Sequence, residues 1–152
     1  MTGSEARVTA GGLPEIFDVT TENGRFESRM AFPGVAEHIR TVREFVEAAL
    51  GEYHPCVELA VQLVSELATN SVSHSMSAGP DGTVWVAVSW TLDDVRVEVT
   101  DAGGETVPEV QDRGADADGG RGLRLVQSLS SDWGHKAAEA GHMTWFELKA
   151  AS

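Results

Sequence analysis

The sequence has a single cysteine, Cys56, so no disulfide can form within the chain and no thiolate-rich metal site can be built. Positive charge is also scarce. Eleven Lys and Arg stand against 24 Asp and Glu, a formal net charge of -13, which repels a phosphate backbone and an anionic membrane and excludes both as primary partners. No apolar run approaches the ~18 residues needed to cross a membrane, and the N-terminus lacks a basic start followed by an apolar stretch. A cytoplasmic protein is expected. Neither a P-loop Gly-x-x-x-x-Gly-Lys nor a His-Arg-Asp catalytic loop occurs, so the two common designs for handling ATP are missing.

What is present fits one domain of 152 residues, within the usual ~100–200. Residues 1–24 are rich in Gly, Thr, Ser and Glu, with little to bury beyond Ile16, Phe17 and Val19; a mostly flexible tail is expected there, and the folded domain at 25–152. Residues 25–32 alternate as a strand. Ile39, Val42, Val46 and Ala49 return at helical spacing up to Gly51, a C-terminal cap. A second helix is expected over residues 55–75 and a strand hairpin over 83–90 and 95–100. After a polar, acidic stretch without periodicity at 105–120, a short helix opens on glycines, and two strands close the chain at 133–138 and 142–149.

Three stretches carry chemistry. In the second helix, Glu66, Asn70 and His74 continue the strip begun by Leu59 and Leu63, so a core-facing edge turns polar partway along. That is how a helix lines a pocket. Asp101-x-Gly103 follows a strand at once. Gly119-Gly120-Arg121-Gly122 enters a helix, where backbone N–H groups and the helix dipole favour an anion.

Glu66-Leu67-Ala68-Thr69-Asn70-Ser71-Val72-Ser73-His74, Asp101-x-Gly103, Gly119-Gly120-Arg121-Gly122-Leu123, Asp132-Trp133-Gly134 and Thr144-Trp145-Phe146-Glu147-Leu148 stand in the order of a known family. Together they resemble the Bergerat ATP-binding fold of gyrases and histidine kinases, and within it the anti-sigma factor serine/threonine kinases. The resemblance implies an α+β, two-layer sandwich with a mixed, mostly antiparallel sheet and its helices on one face. It implies ATP and Mg²⁺ as cofactors. Asn70 is similar to the family's Mg²⁺-holding asparagine, Asp101 to the carboxylate that accepts from the adenine amino group, and Gly103 to the glycine that lets the base approach. Gly120, Gly122 and the adjoining Arg121 and Leu123 resemble the phosphate-binding box, and Glu66 the general base for an attacking hydroxyl. Partners implied are a sigma factor, an anti-sigma antagonist, and a second copy of the chain in a homodimer.

One position departs from the family's Asp-x-Gly-x-Gly: Glu105 takes the last place, with the extra glycine at Gly104. A silent regulatory module that acts only by binding its protein partner is therefore the rival reading. His38 is read as a solvated helix residue rather than a phosphoacceptor, and His74 as a packing or hydrogen-bonding neighbour of the pocket. The four tryptophans are read as sheet and core aromatics, and Cys56 as an inert thiol.

Overall fold

The computed structural model describes residues 6–9, 12–74, 79–101, 118–138 and 141–150. In chain order the elements are β1 (Ala6–Thr9), β2 (Gly12–Glu22), β3 (Arg25–Gly34), a 3₁₀ turn (Ala36–His38), α1 (Ile39–Leu50), α2 (Val57–His74), β4 (Gly79–Trp90), β5 (Asp94–Asp101), α3 (Asp118–Leu129), β6 (Asp132–Ala138) and β7 (Gly141–Lys149). The strands form one seven-stranded sheet in the order β1-β2-β3-β4-β5-β7-β6.

All six ladders are antiparallel, where a mixed sheet was expected. Two helices separate β3 from β4, so the chain runs back and forth and re-enters the sheet at the end it left. Only α3 lies between β5 and β6, and those two strands do run parallel; β7 inserts between them, so they share no ladder.

Residues 1–24, expected as a tail, hold two strands that extend the sheet beyond β3. The reason is local. Asn23 and Gly24 have φ of 54° and 80°, the left-handed pair of a two-residue hairpin turn whose twist matches the flanking strands. Strand β4 likewise starts at Gly79, four residues before the expected start at 83, with a register shift between Pro33 and Gly34 in its ladder to β3. A bulge is where a strand accommodates glycine and proline.

The core lies between one sheet face and the helices. Met30 and Phe32 of β3, Val84, Val86, Val88 and Trp90 of β4, Val95, Val97 and Val99 of β5, and Phe146 and Leu148 of β7 form one buried cluster with Val42 and Val46 of α1, Leu63, Val64 and Leu67 of α2, and Val126 of α3. Period-two burial on the strands and 3.6-residue burial on the helices meet there. Helix α1 ends because Gly51 takes φ of 86° and its N–H reaches the Glu47 carbonyl at 2.9 Å. His38 sits in the 3₁₀ turn before α1, its ring tilted against Phe32.

The other sheet face carries Trp85 and Trp145, while Trp90 is core and Trp133 packs against the core. Arg96 lies over the Trp145 ring, 4.2 Å from its centroid, and bridges Glu98 at 2.9 Å and Glu147 at 2.8 Å. Burial pulls the Arg96 guanidinium down, but hydrogen bonds and charge from both carboxylates outweigh it and hold it above its ordinary value. Beneath Trp145 lies Gly134, its register partner on β6, where a Cβ would stand 2.9 Å from the indole. No helix among the described residues is long and apolar enough to cross a membrane.

Candidate functional site

Helix α2 positions the first group of candidate residues. Its buried strip runs through Ala60, Leu63, Val64, Leu67, Ala68 and Ser71, and Glu66 and Asn70 lie half-buried on the border of that strip. The two are one helical turn apart, on neighbouring positions of one face. His74 ends the helix.

The buried polar residue is Ser71, which the sequence reading passed over. It is 4% exposed, and its hydroxyl donates to Asp101 Oδ2 at 2.6 Å, the length of a bond to an ionised carboxylate. A hydroxyl four residues after Leu67, on the apolar strip, was the available signal. The bond brings the last residue of β5 to the final turn and a half of α2, beside Asn70. Of the expected site, Asp101 is therefore tied to the helix that carries Glu66 and Asn70, at the position that follows Asn70.

Across the β5–β7 ladder, Asp101 stands opposite His142. The Nδ1 of His142 is buried and has no hydrogen-bond partner among the described residues. Sequence reading placed His142 at a strand start and gave it no role.

The glycines of the third stretch fall at the start of α3: the helix begins at Asp118, so Gly119 and Gly120 contribute backbone N–H groups that lack a partner within the helix, and Gly122 follows as its fifth residue. Arg121 completes the first turn and Leu123 lies in the second, and α3 packs against α2. Gly103, Gly104, Glu105 and the acidic stretch to residue 117 lie outside the described residues.

Among the described residues no cluster of three His, Cys, Asp or Glu can hold a metal by itself. A lone amide such as Asn70 suits Mg²⁺, which keeps several waters and is held jointly by one protein oxygen and substrate phosphates. Together with the Asp101 carboxylate, the unpaired His142 nitrogen and the glycine-opened helix, the donor set fits a magnesium nucleotide. A cleft of about 180 Å³ lined by Arg25, Asp94, Arg96, Glu147 and Lys149 lies at the opposite end of β5 from Asp101. Two ion pairs already cross it, Arg25 with Asp94 at 2.8 Å and Arg96 with Glu147 at 2.8 Å, and it is not the candidate site.

That far end is anchored by His54. Its Nδ1 accepts from the Cys56 N–H at 3.0 Å, which leaves Nε2 as the protonated nitrogen donating to the Thr91 carbonyl at 2.8 Å. The Cys56 thiol is pushed up by burial, with the Asp94 and Asp93 carboxylates adding to the shift. It is the inert thiol expected.

An antiparallel sheet covered on one face by three helices, the second of them tied at its end to Asp101, defines an α+β sandwich. The family model described as the histidine kinase-like ATPase domain matches residues 32–148, and the chain belongs to that ATP-binding family. Among solved structures it is similar to the blue-light activated histidine kinase of Erythrobacter litoralis EL346, at 24% identity and a TM-score of 0.47, covering 78% of this chain and 42% of that one. The chain thus spans less than half the length of that kinase. Comparison with curated proteins returns no match.

Proposed function

We propose that the protein is an ATP-dependent protein serine/threonine kinase of the anti-sigma factor type, one that phosphorylates an anti-sigma antagonist, sequesters a sigma factor, or does both. The observation that supports this most is the Ser71–Asp101 bond, which ties the end of β5 to the stretch of α2 that carries Glu66 and Asn70. In this reading Asn70 holds Mg²⁺, Asp101 accepts from the adenine amino group, and the glycine-rich start of α3, Gly120 and Gly122 included, receives the phosphates. Bound Mg-ATP supplies the transferable phosphoryl group, and the metal offsets its charge.

Glu66 does the proton work. The hydroxyl of the protein substrate loses its proton to the Glu66 carboxylate as its oxygen bonds to the γ-phosphorus, and the bond from that phosphorus to the β–γ bridging oxygen breaks to release ADP. A half-buried acid at the rim of the core, rather than within it, is placed to meet an incoming side chain.

Incubation with Mg-ATP and the cognate antagonist tests the reading. Phosphate transfer that Glu66→Gln abolishes, with ADP binding retained, is the expected result. Transfer unaffected by that change removes Glu66 from its role. A second reading, a nucleotide-binding module without catalysis, rests on Glu105 replacing the family's final glycine; binding of ADP and of the antagonist without any transfer selects it.

A further inference from the structure

The histidine opposite Asp101 carries, at Nδ1, the one buried side-chain polar atom at this end of the sheet without a hydrogen-bond partner among the described residues. Alternation fixes the direction of both side chains: Val95, Val97 and Val99 on β5 and Phe146 and Leu148 on β7 are buried under the helices, and Asp101 and His142 continue those same two rows. Register partners on one face have Cβ atoms about 4.5–5.5 Å apart. His142 therefore stands beside the carboxylate that Ser71 holds.

A buried ring nitrogen without a partner is a standing cost to the fold. A group arriving with a ligand removes that cost.

We infer that His142 is a base-contacting residue that sets the specificity of the site for adenine; the assignment rests on reading the site as a nucleotide site. A carboxylate only accepts, so Asp101 calls for a donor, and the adenine amino group is one. The ring nitrogen next to that amino group only accepts, so it calls for a donor, and His142 in its Nδ1–H form supplies it, directly or through one water. Guanine presents the reverse, a carbonyl oxygen where adenine has the amino group and an N–H at the neighbouring ring position. An acceptor and a donor side by side on adjacent strands match the first pattern and oppose the second.

Calorimetry with ADP and GDP on the wild-type protein, His142→Phe and His142→Asn tests this. The phenyl ring keeps the shape and deletes both nitrogens; the asparagine amide restores a donor near the Nδ1 position. Expected is a loss of about 3- to 10-fold in ADP affinity for His142→Phe, a narrowed preference for ADP over GDP, and partial recovery in His142→Asn. The Tm without nucleotide should be unchanged or higher in His142→Phe, since the unpaired nitrogen is gone, and a purely structural role would lower it. His142→Phe that binds ADP as tightly as wild type, or that loses ADP and GDP equally along with Tm, overturns the assignment alone. Wild-type protein that binds neither nucleotide at millimolar concentration overturns the nucleotide reading and this assignment with it.

Discussion

Replacing Ser71 by alanine removes one oxygen from a site that is 4% exposed and leaves the rest of helix α2 unchanged. The lost interaction is a hydroxyl donating to the Asp101 carboxylate at 2.6 Å. Hydrogen bonds to charged groups contribute about 1.5–3 kcal/mol, and because Asp101 is only half-buried the lower end applies, ~1.5 kcal/mol. Alanine returns about 0.5 kcal/mol through its better helix propensity, for a net loss of ~1 kcal/mol. For a domain of this size that lowers Tm by about 2–4 °C. The internal control is Ser73→Ala, an exposed serine of the same helix, which gains the propensity without losing the bond and should raise Tm by about 1–2 °C. Differential scanning calorimetry of the two variants beside wild type reads both numbers. ADP affinity in Ser71→Ala should fall as well, since one bond that positions the carboxylate is removed. The reasoning is refuted if the two variants shift Tm equally.

Three further outcomes follow from the structure. Gly134→Ala drives a Cβ to 2.9 Å from the Trp145 indole, so the ring must move out from under Arg96; a loss of about 1–3 kcal/mol and an altered Trp fluorescence spectrum are expected, and unchanged Tm would show that the ring yields freely. His54→Ala removes both the helix-start acceptor for Cys56 N–H and the donor to the Thr91 carbonyl, costing about 1–2 kcal/mol, with the Nε2–H tautomer checked in wild type by the imidazole nitrogen shifts in NMR. Because burial and two carboxylates raise the Cys56 pKa, its thiolate fraction near neutral pH is below that of a free thiol, so iodoacetamide at pH 8 should modify it slowly in the folded protein and quickly in urea; equal rates would contradict the burial.

How much of this was legible beforehand depended on the kind of signal. Helices α1 and α2 and strands β3, β5, β6 and β7 were readable because burial on one face imposes a period, and the boundaries found differ from those expected by a few residues at most. The β2–β3 hairpin was readable too, from Asn23-Gly24, but the polar composition around it outweighed a two-residue turn signal. The strip through Leu59, Leu63, Glu66 and Asn70 was close to correct and one position off: the buried line passes through Leu67 and Ser71, leaving Glu66 and Asn70 on its border. What no periodicity reveals is a contact between distant elements. Ser71 and Asp101 are 30 positions apart, and His142 meets Asp101 only because β7, last in the chain, inserts beside β5.

The same strand explains why the candidate residues hold their relative positions. Helix α2 is tied to β5 twice. At its start His54 reaches Thr91, in the turn that Thr91 N–H closes on the Asp94 carbonyl at 3.1 Å, and at its end Ser71 reaches Asp101. From Val57 to Ser71 the helical rise covers about 21 Å, and from Asp94 to Asp101 an extended chain covers about 23 Å. The two lengths agree, so both bonds close at once without bending either element. Sliding the helix by one turn, about 5.4 Å, would break both together, which is a stiffer restraint than either bond alone. Glu66 and Asn70 lie between the two ties, nearer the second. The position of the Glu66–Asn70 turn along β5 is therefore set by the length of a strand and the pitch of a helix.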